Sequence, residues 1–119
     1  MATSMREPTF WILTALVDHP RHGYGVMREA ETLSAGQIRL QAGTLYAALD
    51  RLTAEGLLEI DREEIVDGRP RRYYRLTDNG AAALAVESER LARSASTASR
   101  RLRARRSAIG RGPAEVIFG

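Results

Sequence analysis

Residues 40–59 read LQAGTLYAALDRLTAEGLLE. Leu45, Leu49 and Leu52 recur at helical spacing and put an apolar stripe behind this segment. Gln41, Thr44 and Tyr46 offer polar and phenolic groups at its start. The spacing predicts a short helix that begins near Gly43 or Thr44 and stops at Gly56, where a left-handed cap is expected. Such a helix is anchored from behind and free to meet a partner in front.

Upstream, PTFWILTALVD follows Pro8 with Phe10, Leu13, Leu16 and Val17 at helical spacing, and His19-Pro20 closes it. This reads as a buried first helix. GYGVMREAETL then sets Val26, Ala30 and Leu33 on one face of an amphipathic second helix, which Ser34-Ala35-Gly36 breaks. QIRL, residues 37–40, is long enough only for a short strand.

Downstream the period changes. LLEIDREEIV and RRYYRLT are strand-like runs on either side of Asp67-Gly68, a strong hairpin signal. Pro70 lacks a backbone donor and belongs near an edge or turn, and one of the alternating Tyr73 and Tyr74 should face the core. A two-stranded hairpin is barely stable alone, so this one must lean on the helices. Thr77 can cap a long last helix from about Asp78. In it Leu84, Leu91, Ala95, Ala98 and Leu102 form a heptad-like seam, interrupted by Ser88 and Arg105. The Gly and Pro content after Ile109 reads as a loose tail. The expected organisation is residues 1–77 as a winged helix-turn-helix, 78–109 as a dimerisation helix, and 110–119 as tail.

The chain has 119 residues, 44% of them hydrophobic, which supports one modest core. With no cysteine, disulfides and thiolate metal sites are excluded. No apolar run reaches the roughly 20 residues of a membrane span, and the N-terminus lacks the layout of a signal peptide, so no membrane partner and a cytoplasmic location are expected. The net charge is +3 and every basic side chain except the two histidines is arginine. Two blocks stand out: Arg69, Arg71, Arg72 and Arg75, and Arg100, Arg101, Arg103, Arg105 and Arg106, neither interrupted by an acid. They fit an anionic partner's footprint, and equally a solvated face.

Helix, helix, short strand, reading helix and hairpin is the order of a mainly α winged helix-turn-helix with a small β-hairpin and one long C-terminal helix. The major groove of double-stranded DNA admits a single α-helix, and the start of a helix offers unpaired N–H groups and a positive dipole to phosphate. A helix that is apolar behind and polar at its start suits that groove.

HGYGVMREAE from His22, LQAGTLYAALDRLTAEGLLE from Leu40 and DGRPRRYYRLTDNGAAAL from Asp67 resemble the PadR family of bacterial transcriptional regulators, in order and in separation. The likeness is strong from about Phe10 to Leu84, and the length resembles the small subgroup with a single C-terminal helix. It implies a homodimeric repressor on a two-fold symmetric operator, released by a small hydrophobic or phenolic effector. By the same resemblance Thr44 and Tyr46 would touch DNA from the third helix, Tyr24 would touch phosphate from the second, and Arg69, Arg71 and Arg72 would serve the wing. Gln41 joins them by its place at the start of the reading helix. Two positions depart from the family: Ala42 stands where proline often precedes the Gly-Thr pair, and Leu91 falls near the place of a drug-stacking tryptophan found in some small members.

The dimer is expected along Leu84, Leu91, Ala95, Ala98 and Leu102, with an effector at the same interface against Phe10, Trp11 and Leu91. Blander readings stay beside these. Tyr24 and Tyr46 also fit half-buried packing positions, Trp11 fits core or interface, and the late arginines fit a helix end favoured by its dipole. His22 has only His19 nearby, so no metal is expected. No nucleophile–base pair, phosphate-cradling glycine loop or perturbed carboxylate pair is present, which argues against an enzyme and against a cofactor. The rival to DNA binding is a winged-helix module that binds protein, and an acid-rich wing would favour it.

Overall fold

The computed structural model describes residues 5–116, with side chains through Ile109. The elements in order are α1 (Glu7–Ala15), β1 (Arg21–His22), α2 (Gly23–Leu33), α3 (Ala42–Ala54), β2 (Leu58–Val66), β3 (Arg69–Leu76) and α4 (Asp78–Val116). They divide into two compact units, Met1–Glu87 and Ser88–Gly119.

In the first unit Pro8 starts α1, where a missing N–H costs nothing. The helix buries Ile12, Leu13 and Ala15, followed by Leu16. Val17, expected on the same stripe, is 60% exposed, because the chain leaves helical geometry at Leu16 (φ −106°, ψ 7°) and the register ends there. On α2 the inward face runs Val26, Ala30, Ser34, so Leu33 is turned outward and is 44% exposed. The Ser34 hydroxyl donates to Glu31 O (3.2 Å) and accepts from the Ile38 N–H (3.0 Å).

Residues 37–40 are not a strand. Ile38 and Leu40 alternate with exposed neighbours as a strand would, but the available edge of β3 is occupied by Arg21–His22, which pair with Tyr74 and Tyr73. The sheet is therefore three-stranded and antiparallel, in the order β1-β3-β2.

On α3 the predicted anchor holds: Leu45, Leu49 and Leu52 are fully buried. Its end is a Schellman cap, with Gly56 N–H donating to Thr53 O (3.1 Å) and Leu57 N–H to Leu52 O (3.0 Å), and Gly56 at φ +79°. The hairpin turns at Asp67 and Gly68, both at positive φ (51° and 77°), which is the pattern of a type I′ turn. An extra residue, Asp61, interrupts the register between Ile60 and Arg62. Pro70 sits beside the turn opposite Ile65, beyond the reach of β1, so its missing donor leaves no ladder bond unmade.

Tyr74 and Leu58 bring the sheet into the helical core, each at most 2% exposed. Each buried leucine is worth roughly 2 kcal/mol. Thr77 caps α4 by accepting from the Gly80 N–H (3.0 Å), and its own hydroxyl donates to Gly56 O (2.6 Å). That bond ties the end of α3 to the start of α4. Leu84, expected on the dimer seam, packs against the core of its own unit.

In the second unit α4 is helical from Ser88 to Val116, so it passes Ile109, where a loose tail was expected; residues 117–119 lie outside the described residues. Leu91, Ala95, Ala98 and Leu102 are all exposed in the single chain. No described helix is long and apolar enough to cross a membrane.

Candidate nucleic-acid interface

An open groove of about 980 Å³ lies between the start of α2, the outer flank of α3 and the hairpin. It gathers Tyr24, Tyr46, Arg69, Arg71 and Arg72, five of the residues singled out from sequence. Tyr24 and Tyr46 are 54% and 46% exposed, so each is half-buried and leaves part of its ring open to the groove.

Gly23 brings α2 and α3 together. A Cβ there would lie 2.5 Å from Tyr46 Cζ, so only glycine lets the tyrosine ring rest on the start of α2. Tyr24, one residue on, carries the Arg28 guanidinium 5.7 Å from its ring centre.

Gln41 and Thr44 do not join the groove. They are exposed on the opposite flank of α3 from Tyr46, because residues two apart on a helix point about 200° apart. Gln41 occupies the N-cap position without making a side-chain cap bond, so its amide is not committed to the helix. Between the flanks the exposed face carries Gly43 and Ala47 at its start, then Asp50, Arg51 and Ala54. A Cβ on Gly43 would meet nothing within 4 Å, so packing within the chain does not demand glycine there.

The wing departs from its sequence reading. β3 is free of acid, but its partner β2 is acidic, and residues 58–76 balance five arginines with five carboxylates. Arg72 pairs with Glu63 (3.8 Å), and Arg75 with Glu59. Arg62 pairs with both Asp61 and Glu64 at 3.1 Å, with its guanidinium 3.9 Å from the centre of the Tyr73 ring. Among the described residues no carboxylate pairs with Arg69 or Arg71. The tyrosines divide as alternation requires, Tyr74 into the core and Tyr73 outward against His22, ring centres 5.5 Å apart. Burial pushes the Tyr74 phenol up, and the nearby Asp50 and Tyr46 add to that while Arg72 opposes it.

The sequence reading did not assign His22, Gly23 and Asp50 to the groove, nor the hairpin residues Val66, Asp67, Pro70 and Tyr74 that complete its lining. Asp50 lies one turn beyond Tyr46, so helical spacing from Tyr46 would have found it. Gly23 stands in the HGYGVMREAE motif, but its role depends on a ring brought in from α3. His22 is held below the ordinary histidine value, first by burial and then by the Arg71 charge.

On α1, Phe10 and Trp11 are half-buried and meet edge to face, ring centres 5.1 Å apart. Leu91 belongs to the second unit and is 41% exposed. Arg51 is structural: it donates to Thr9 Oγ1 (3.1 Å) and so joins α3 to α1.

Fold and groove together define a winged helix-turn-helix protein whose reading helix and wing border one open surface. The chain belongs to the PadR-like family of transcriptional regulators, whose profile matches residues 12–86. It is 42% identical over 80 residues to Transcriptional regulator Rv3488 of Mycobacterium tuberculosis, covering 67% of this chain and 71% of that protein. A PadR family transcriptional regulator from Eggerthella lenta is similar in structure, with a TM-score of 0.66, 27% identity and 80% of each chain covered. Bacillus subtilis PadR in complex with operator DNA has a TM-score of 0.59 and 25% identity, covering 66% of this chain and 46% of that one. The family is one of regulators, not enzymes.

Proposed function

We propose that this chain is a homodimeric repressor that binds a two-fold symmetric operator in double-stranded DNA and leaves it when a small hydrophobic or phenolic molecule binds. The observation that carries DNA binding is the shared groove, which sets Tyr24, Tyr46, Arg69 and Arg71 on one accessible surface beside α3. Gly43 and Ala47, small residues at the start of the exposed face of α3, let its backbone come close to base edges there, with Gln41 and Thr44 on one flank and Tyr46 on the other. Arg69 and Arg71, unpaired with carboxylates, suit phosphate. That Bacillus subtilis PadR, similar in structure, forms a complex with operator DNA supports duplex DNA as the partner.

One reading helix covers few base pairs, so specificity calls for two copies about 34 Å apart. The exposed seam Leu91, Ala95, Ala98 and Leu102 is the surface we assign to the second copy. The effector is assigned to the half-buried Phe10–Trp11 pair of α1. A ligand there releases DNA only so far as it prefers the dimer geometry that DNA does not.

A protein-binding winged helix is favoured by one observation, the acidic strand β2. Its Glu59, Asp61, Glu63 and Glu64 are engaged by Arg75, Arg62 and Arg72, which leaves Arg69, Arg71 and the turn carboxylate of Asp67 as the wing's remaining charge, a net positive one.

The deciding experiment titrates a labelled duplex of the gene's own upstream region. Arg69→Ala with Arg71→Ala should lower the salt slope by about 2 per chain for all sequences, whereas Thr44→Ala should change sequence preference. Absence of any duplex binding sinks the proposal. Trp11 is the only tryptophan, so its emission reports the effector site; a compound that releases DNA without perturbing it places the effector elsewhere.

A further inference from the structure

The chain's charge is unevenly divided. Residues 1–87 hold ten arginines and thirteen carboxylates, a net of −3, while residues 88–119 hold eight arginines and two carboxylates, a net of +6. The unit with the reading helix and wing is thus acidic overall. Long-range attraction to a polyanion, which steers encounter with nucleic acid, resides in the other unit.

No carboxylate occurs between Glu89 and Glu115. Within that stretch Arg93, Arg100, Arg101, Arg103, Arg105 and Arg106 are exposed on α4, and among the described residues none has an ion-pair partner. Two ordinary explanations of such a run fail. Helix-dipole stabilisation falls off within the last turn, and α4 continues to Val116, well beyond Arg106. Ion pairing along the helix is ruled out for Arg100 to Arg106 by the absence of acids at three- or four-residue spacing, and Glu89, four residues before Arg93, makes no ion pair with it among the described residues. Instead Arg101 and Arg105, Arg100 and Arg103, and Arg103 and Arg106 stand as repelling like-charge neighbours.

At 3.6 residues per turn, Arg93 and Arg100 lie opposite the Leu91, Ala95, Ala98, Leu102 seam with Arg101 and Arg103 on either side of them, so these four make a broad face turned from the seam, while Arg105 and Arg106 border the seam itself. Arg93 to Arg106 spans about 20 Å of helix, which matches about six phosphate repeats along one DNA strand. We propose that this arginine face is a second, sequence-independent contact that holds the phosphate backbone of duplex DNA and supplies most of the chain's electrostatic attraction to it. This deepens the DNA-binding reading and rests on it. A lipid surface fits less well: from Arg90 to Ile109 the large apolar residues are only Leu91, Leu102 and Ile109, with no aromatic, too little for an interfacial helix.

The test uses the full chain, a random-sequence 30-base-pair duplex and the upstream-region duplex, titrated by fluorescence anisotropy from 50 to 300 mM salt. One variant changes Arg100, Arg101, Arg103, Arg105 and Arg106 to Gln, a second changes the same five to Lys. For the Gln variant the salt slope on both duplexes should fall by about 2 to 4 per chain, with at least about tenfold weaker binding at 50 mM salt. The Lys variant should stay within about threefold of the parent, since it keeps the charge. Circular dichroism and sedimentation should be the same for all three; if the Gln set disturbs either, Arg101→Gln with Arg105→Gln replaces it, with a slope loss of about 1 to 2 expected. A Gln variant with the parental slope overturns the inference while leaving operator binding intact. A parent that binds both duplexes equally, with a slope the Gln variant loses, overturns operator recognition instead. Tighter binding of the parent to phosphatidylserine-containing vesicles than to duplex assigns the face to membrane and overturns it too.

Discussion

Replacing Gly23 with alanine should displace Tyr46 and leave the rest of the fold in place. The new Cβ would lie 2.5 Å from Tyr46 Cζ and 2.7 Å from Cε1, where ordinary carbon contact needs about 3.5–4.0 Å. The ring must therefore retreat by about 1 Å or more. Gly23 is buried, whereas Tyr46 is 46% exposed, so the side chain yields and not the backbone. The overpacking costs about 1 kcal/mol, and alanine's smaller loss of backbone freedom on folding returns about 0.4–1 kcal/mol, since Gly23 does not hold a positive φ. Thermal stability should thus stay within a few degrees of the parent, for a net change under about 1 kcal/mol. Binding should suffer far more. A phenol hydrogen bond to a charged phosphate is worth about 1.5–3 kcal/mol, which corresponds to about 10- to 150-fold in affinity for each half-site. Anisotropy on the upstream-region duplex measures it, with Tyr46→Ala completing a double-mutant cycle. With the ring gone the added methyl meets no clash, so Gly23→Ala should then change affinity by less than about twofold. An equal loss in both backgrounds, or full binding by a stably folded Gly23→Ala chain, refutes the role given to Tyr46.

Gly80→Ala should be the more damaging glycine change for stability. Its Cβ would come within 3.0 Å of the Leu57 carbonyl carbon, nearer still to its oxygen, and neither can swing aside; urea unfolding should show a loss of about 2–3 kcal/mol. Ala35 holds φ +56° in the cap that ends α2, so Ala35→Gly should raise stability by up to about 1 kcal/mol, and a lowered midpoint would show that the cap is unstrained. His22 titrates below its ordinary value of 6.5 in the folded chain. Its contribution to stability is therefore complete above pH 6.5 and is lost as pH falls through the lower folded value. His22→Gln should flatten that part of the stability–pH profile, and an unchanged profile would remove His22 as its cause.

By itself the sequence determined the elements whose causes are local. Leu45, Leu49 and Leu52 at helical spacing, the Gly56 cap, the Asp67-Gly68 turn and the Thr77 cap depend on periodicity or on backbone preferences within a few residues, and each is in the fold as read. Tyr24, Tyr46 and the wing arginines were legible because family motifs mark them, and the groove brings them together. What the tertiary structure alone decided involves partners distant in the chain. Arg21–His22, too short to register as a strand, took the β3 edge that a QIRL strand would need. Pairing of β2 with β3 set Glu63 against Arg72, so a run that reads as basic became a charge-balanced wing. Gly23 acquired its purpose from a tyrosine in the next helix. Leu84 left the predicted seam for its own unit's core because the start of α4 is tied down through Thr77 and Gly56. Periodicity states which side chains share a face, and only the packed chain states what that face meets.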